Sequence, residues 1–375
     1  MPDEAVIIAA RRTPIATRGR ALADLRVEQL VGPVLQVVSA DASAALGHGL
    51  HPADVVLGNC TGPGGNPARV SALAAGLGPE VTGATVDRQC GSGLAAIIDA
   101  ATAIGAGDER PRLAGGVESA STAPVRSIDG VTYARAPFAP AGRPDPDMPA
   151  AADELARHDG IDRARQDAYA ARSHRRARSA HESGRFDAEL VPLGSATDDD
   201  AIGRAEALLP RLTPLAADGT VTAGTATRIS DGAAAVALLP RRAAPGVPGL
   251  AIRGHAVVGC DPALPGVGAA PAITAALERA GVGIDQIAAV EIVEAFAAQV
   301  LAVLGRLDLA DDDPRVCADG GALALGHPWG ASGAVSVVRL FSRLVRGGAR
   351  PGTLGVAAAS VGGGMGVAAV VEVVA

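Results

Sequence analysis

A cysteine, a histidine and a glycine-rich turn carry the chemistry open to this sequence. The cysteine is Cys90, in Asp87-Arg88-Gln89-Cys90-Gly91-Ser92-Gly93-Leu94. That stretch follows the strand-like run Gly83-Ala84-Thr85-Val86 and precedes a helix pattern of small residues from Leu94 to Ile104. Cys90 is therefore expected on a tight turn, at or just before a helix N-terminus. Free backbone N–H groups and the positive end of the helix dipole would face its sulfur. Such surroundings lower a thiol pKa and favour the nucleophilic thiolate. A small packing cysteine on a turn is the plainer reading, and the rest of the chain decides between the two. The histidine is His327, held between Gly326 and Pro328 in a long Gly/Ala-rich segment, Gly320 to Gly333. The turn is Ser360-Val361-Gly362-Gly363-Gly364-Met365-Gly366, which offers backbone donors to an oxyanion. Val293-Glu294-Ala295-Phe296 follows the apolar run Ile287 to Val293. Cysteine plus histidine is the nucleophile–base pair of acyl transfer.

These residues need strands and helices to hold them. Ala5 to Ala10 reads as a short strand ended by Arg11-Arg12-Thr13-Pro14, and Val27 to Leu46 has helical spacing at Leu30, Val34, Val37 and Val38. Asp54 to Gly58 and Leu113 to Ser119 read as further strands, so strands and helices alternate as in an α/β protein. From Thr122 to about Asp218 the character changes. Ala134 to Pro149 holds five prolines, which argues against regular structure. Asp162 is placed to cap a helix running to about Glu182, whose arginines and histidines, His174 and His181 included, read as a solvated face. Asp198-Asp199-Asp200 reads as an exposed turn. From about Leu250 the α/β pattern returns. Cys90-Gly91-Ser92-Gly93 with its helix and following strand is echoed by Gly330-Ala331-Ser332-Gly333, a helix and the strand Thr353 to Ala359, a weak internal repeat that suggests two similar halves.

Composition narrows the class. The chain has 375 residues, 48% hydrophobic, but aromatics make up only 2%, so its core must be aliphatic and small. All 33 basic residues are arginine, and asparagine occurs only at Asn59 and Asn66. A net charge of −7 without a basic block argues against nucleic-acid binding. Four irregularly spaced cysteines give neither a disulfide framework nor a metal site. The start, Met1-Pro2-Asp3-Glu4, lacks a leader pattern and no apolar run is long enough to span a membrane, so a cytoplasmic location is the expectation.

Taken in order, the segments Arg88 to Gly93, Gly115 to Ser119, Asp218 to Gly224, Asp231 to Ala235, Glu294 to Phe296, the His327 motif and Gly362 to Gly366 resemble the thiolase family over nearly the whole chain. The resemblance implies a five-layered α-β-α-β-α fold of two similar halves plus a loop domain. Residues 1–121 would form the nucleophile-bearing half, 122–218 the loop domain on the coenzyme A side, 219–248 the return segment and 249–375 the second half. It implies that Cys90 takes the acyl group of a thioester, that His327 activates it, and that the backbone N–H groups of Cys90 and Gly362 hold the oxyanion. Met148, Ala223, Gly224, Thr227 and Phe296 carry over as substrate-binding positions. Acyl-CoA and coenzyme A are the implied substrates, with no resident cofactor. The acyl group then passes to coenzyme A (thiolysis) or to the enolate of a second acyl-CoA (condensation).

Two positions depart from the family pattern. Ser360 stands where the family has a second cysteine that moves a proton, and a serine hydroxyl is far too weakly acidic to do so readily near neutral pH. Val293 stands where the family has an asparagine that holds a water beside the enolate, and losing one such donor weakens that hole by about 2–4 kcal/mol. Acyl transfer or slow hydrolysis without efficient carbon–carbon chemistry, and a non-catalytic partner subunit, are the alternative readings. Cys317, close to the His327 motif, is a candidate substitute base although its position matches a loop residue of the family, while Cys60 and Cys260 read as packing residues. The stretch Ser127 to Asp147 is short and proline-rich where the family often carries a tetramer-forming hairpin, which favours a homodimer over a tetramer.

Overall fold

The computed structural model describes residues 4–203 and 206–375; the reading of Met1 to Asp3 lies outside them. The first half contains β1 (Ala5–Arg12), β2 (Ala16–Thr17), α1 (Val27–Leu46), β3 (Asp54–Gly58), α2 (Pro67–Ala74), β4 (Thr82–Val86), α3 (Ser92–Gly105) and β5 (Arg112–Glu118). A hairpin, β6 (Arg126–Ile128) and β7 (Val131–Tyr133), and helices α4 (Met148–His158) and α5 (Arg163–Glu182) follow before β8 (Ser230–Pro240). The second half contains β9 (Gly249–Gly259), α6 (Ala269–Ala280), β10 (Ile287–Ile292), α7 (Ala297–Arg306), α8 (Ala322–Leu325), α9 (Trp329–Leu340), β11 (Leu354–Val361) and β12 (Met365–Val374). The expected α1 and β3 are present residue for residue, and the Asp162 carboxylate caps α5 by accepting from Arg165 N at 2.8 Å.

The main sheet runs in the order β10-β11-β12-β9-β1-β8-β5-β3-β4. Its two wings meet at a narrow seam, where β1 and β9 share the register pairs Val6–Ala251 and Ile7–Leu250. Helices α3 and α9 pack on each other and on strands of both wings, α3 on β5 and β12, α9 on β5 and β11. They form the middle layer. α1 covers the outer face of the first wing and α6 that of the second. Three buried apolar clusters fill these spaces, one on each outer face and one around the central helices. This is the five-layered arrangement expected from the sequence.

Small residues let the central elements meet backbone to backbone. A β-carbon on Gly116 would overlap the carbonyl oxygen of Gly330, and one on Gly330 would lie 2.7 Å from Val117 O. The start of α9 therefore sits directly on the end of β5. That contact brings the His327 loop to the Cys90 loop, because both precede central helices at the same end of the middle layer.

Three expectations need correction. β1 does not stop before Arg11 but continues through Arg12, which is fully buried between Glu189 and Asp199, each at 2.7 Å. Asp199 is accordingly buried rather than part of an exposed turn, and Asp200 accepts from Thr17 N at 2.9 Å. An unpaired guanidinium could not be tolerated there; Glu189 and Asp199 supply the compensation that burial demands. The face of α5 is not simply solvated: His174 is buried, Arg176 donates to Val316 O, and Arg172 donates to Asp311 O, tying the helix to the second half. The stretch after Ser121 carries the two-stranded hairpin β6–β7. No helix is long and apolar enough to cross a membrane among the described residues.

Candidate active site

The Cys90 loop is a single 3-10 turn, Gln89–Gly91, immediately before α3. Ser92 holds it closed: its hydroxyl accepts from Arg88 N at 2.7 Å and donates to Gln89 O at 2.6 Å. Gln89 takes a positive φ of 39°, so the backbone turns sharply just before Cys90. Gly91 lies against Val361 and Val367, which sets the turn on the ends of β11 and β12. Cys90 itself is half-buried.

His327 arrives from the other half. Its backbone N–H donates to Arg228 O at 2.9 Å, and its Nε2 lies 3.2 Å from Cys90 Sγ. Its Nδ1 lies 2.6 Å from Ser332 Oγ, and that hydroxyl donates to Pro328 O at 3.0 Å. A hydroxyl has one proton and a carbonyl can only accept, so Ser332 gives its proton to Pro328 and accepts from Nδ1–H. Nε2 is then the unprotonated nitrogen, and Cys90 donates its thiol proton to it. Sequence reasoning placed Cys90 and His327 together but missed Ser332, although its five-residue spacing from His327, across the first turn of a helix, was visible.

The expected lowering of the Cys90 pKa is not found. Burial of the sulfur pushes the thiol up to about 12, outweighing the backbone N–H that pulls the other way, with the Glu118 and Asp87 carboxylates adding to the rise. Burial also lowers His327 to about 4. Both shifts favour a neutral thiol beside a neutral imidazole. Here desolvation defeats the helix-terminus effect that the sequence pattern suggested.

Glu118 was also unanticipated in its role. Its buried carboxylate accepts from Cys60 N and Thr61 N, both at 3.1 Å, and from Gly330 N at 2.9 Å. It pins the Asn59–Thr61 loop to the start of α9. Cys60 joins the same support, donating its thiol to Gln89 O at 3.2 Å beneath the Cys90 turn. Glu294 does the corresponding work behind Phe296, accepting from Tyr169 OH at 2.8 Å and Ser173 Oγ at 2.7 Å.

Part of the remaining candidate set lies along one segment that reaches His327. The segment carrying Ala223, Gly224 and Thr227 runs beside both Phe296, at the start of α7, and His327: Ala226 bridges to Phe296, and Ile229 bridges to His327. Thr227 donates from its hydroxyl to Ala322 O at 2.6 Å, tying this segment to α8. Met148 is half-buried at the start of α4, which packs on α7 and the turn Pro265–Val267. Val293 is buried and lines a cavity of about 20 Å³ with Ser332, Ser336 and Arg339, a volume suited to one water.

Ser360 sits near the end of β11 with its hydroxyl committed. It donates to Gly266 O at 2.7 Å and accepts from Ala269 N at 3.0 Å, with Gln299 Nε2 at 3.4 Å. Its proton is aimed at a carbonyl, not at a reacting atom. Cys317 cannot substitute, because it is fully buried and its thiol points at Ile292 O. Gly362 follows directly after Val361, the residue that touches Gly91, so the glycine turn lies next to the Cys90 loop. Among the described residues no group of three or more His, Cys, Asp and Glu side chains is placed to hold a metal ion.

Comparison with known proteins agrees with this geometry. The thiolase N-terminal domain matches residues 5–242 and the thiolase C-terminal domain residues 248–373. YhfS of Bacillus subtilis is 40% identical over 380 residues, covering 99% of this chain and all of that protein. An acetyl-CoA acetyltransferase of Chromobacterium violaceum is 38% identical, covering 98% of this chain and 99% of its own. The crystal structure of the Bacillus anthracis acetyl-CoA acetyltransferase superposes with a TM-score of 0.89 at 36% identity, with 99% of each chain covered. Two domain matches in order, relatives aligned end to end and the close superposition place this chain in the thiolase family.

Proposed function

We propose that this protein is an acyl-CoA C-acyltransferase working through an acyl-Cys90 intermediate. The observation that carries the reading is the 3.2 Å contact between His327 Nε2 and Cys90 Sγ, with the tautomer set by Ser332. The Cys90 thiol gives its proton to Nε2 as sulfur attacks the thioester carbonyl. The oxyanion is held by the N–H groups of Cys90 and Gly362. The carbon–sulfur bond to coenzyme A breaks, and the departing thiolate takes the proton back from His327. In condensation the acyl group then passes to the enolate of a second acyl-CoA; in thiolysis Cys90 instead attacks the 3-keto carbonyl of a 3-ketoacyl-CoA, the C2–C3 bond breaks, the departing acyl-CoA enolate takes up a proton, and the acyl group left on Cys90 passes to coenzyme A. Because the intact Cys90–His327 pair serves acylation, a purely structural subunit is disfavoured.

The second half of the cycle is the slower one. Ser360 has its proton engaged with Gly266, and Val293 offers no donor, so proton movement at the acceptor carbon is poorly assisted. Acyl transfer to another acceptor, or slow hydrolysis, is the second reading, and the tether on Ser360 is what favours it. The edge of β4 is unpaired among the described residues and leads straight into the Cys90 loop, which supports a homodimer joined along that edge.

Incubation with acetyl-CoA, followed by intact mass, tests the acyl-enzyme; acetoacetyl-CoA plus coenzyme A, followed by absorbance, tests thiolysis. A +42 Da adduct lost in Cys90→Ala is expected. Absence of the adduct refutes the acyl-Cys90 reading; an adduct without any thiolysis refutes the carbon–carbon step.

A further inference from the structure

Phe138 belongs to the proline-rich stretch that follows β7. Its ring lies on the glycine turn. A β-carbon on Gly362 would come 2.6 Å from Phe138 Cε2 and 2.8 Å from Cδ2. One on Gly363 would come 3.1 Å from Phe138 O and 3.3 Å from its Cβ. Only glycines at these two positions let the ring settle there.

The ring is clamped rather than loosely draped. Asp145 accepts from Phe138 N at 3.2 Å and from Arg135 Nη1 at 2.7 Å. The Arg135 guanidinium lies over the ring, 4.7 Å from its centre, an arrangement in which the cation is drawn to the aromatic face. Five prolines from Pro137 to Pro149 stiffen the same stretch. An incoming group therefore meets a fixed wall.

The position of that wall relates to the nucleophile. Val361 touches Gly91, next to Cys90, and Gly362 follows Val361. An acyl carbonyl on Cys90 whose oxygen rests at Gly362 N–H begins its alkyl tail close to the Phe138 ring. In a chain where aromatics are 2% of residues, a large ring at this spot sets the available volume more than any neighbouring Ala or Gly can. We propose that Phe138 restricts this enzyme to short acyl groups, because its clamped ring fills the space beside the Gly362–Gly363 turn that a longer chain would need. The inference rests on the acyl-Cys90 reading and adds a substrate class to it.

Acyl-enzyme formation on Cys90 is measured by intact mass with acetyl-CoA, butyryl-CoA and octanoyl-CoA, for the wild type, Phe138→Ala and Phe138→Leu. In the wild type the rate should fall steeply between butyryl and octanoyl. Phe138→Ala should raise the octanoyl-to-acetyl rate ratio by about tenfold or more, the scale on which pockets discriminate by a methylene or two, with Phe138→Leu between. A ratio unchanged in both variants, or equal loss for all three chain lengths, overturns the proposal, since a merely structural role would slow every substrate alike. If Phe138→Ala does not fold, the leucine variant decides by the same ratio. A wild type that takes no acyl group on Cys90 brings down the acyl-enzyme reading and this inference with it; a wild type that is acylated but whose variants keep the ratio brings down this inference alone.

Discussion

Replacing Ser360 by cysteine separates its structural role from the catalytic role the family gives that position. The Ser360 hydroxyl makes two good hydrogen bonds, to Gly266 O at 2.7 Å and from Ala269 N at 3.0 Å, and a longer contact with Gln299 Nε2 at 3.4 Å. A thiol donates and accepts weakly, and each hydrogen bond lost costs about 0.5–1.5 kcal/mol. Ser360→Cys should therefore lower stability by about 1–3 kcal/mol, read as a reduced denaturation midpoint. The same change supplies a group that titrates near pH 8.5, close enough to neutrality to move a proton at coenzyme A sulfur or at the acceptor carbon. General acid–base catalysis is worth roughly 10²–10⁴-fold, so thiolysis should rise by about tenfold or more even if only part of that is recovered. Stability and activity are thus expected to move in opposite directions. The assay is acetoacetyl-CoA thiolysis by absorbance, beside a denaturation curve and the rate of Cys90 acylation, which should change little. Thiolysis that is unchanged or lower, in a folded variant that still acylates, refutes the role assigned to this position.

The hydrogen bond from His327 to Ser332 gives a second test. Ser332→Ala leaves a buried Nδ1–H without a partner in the reactive tautomer, at about 1–3 kcal/mol, so acylation of Cys90 should slow roughly 5- to 150-fold while the pH at which the rate falls stays where it was; an unchanged rate refutes the tautomer argument. A third concerns pH. With His327 lowered to about 4 and Cys90 raised to about 12 by burial, the base is neutral and the thiol protonated across the ordinary range. The acylation rate should stay level from about pH 5 to 9 and fall only as pH drops toward 4; an inflection near 6.5, the unperturbed histidine value, contradicts the neutral pair. The sign for stability follows from the same histidine. Its folded pKa lies below its unfolded one, so the unfolded chain binds the proton first, and stability is lost as pH falls from 6.5 toward 4, by about 3 kcal/mol at most. A denaturation midpoint that is flat across that interval refutes it.

Local pattern determined much of this protein. The 3.6-residue spacing of α1, the run of β3, the Asp162 cap and the repeated small-residue helices were legible because each depends on neighbours a few residues away. So was the order of the cysteine, glutamate, histidine and glycine segments, and with it the family. Tertiary structure decided what sequence distance hides. Arg12 reads as a polar strand end, yet it is buried because Glu189 and Asp199 arrive from nearly two hundred residues away to neutralise it. Asp199 and His174 read as solvated for the same reason: charge predicts exposure unless a partner elsewhere meets it. A helix N-terminus promised an activated thiolate at Cys90, but the two halves close around the sulfur and desolvation prevails. The serine at 360 is visible as a substitution; that its proton is spent on Gly266 is visible only once β11 and the turn before α6 are side by side. Local chemistry names the groups, while long-range packing sets their dielectric surroundings and their hydrogen-bond partners, and those two quantities decide what each group does.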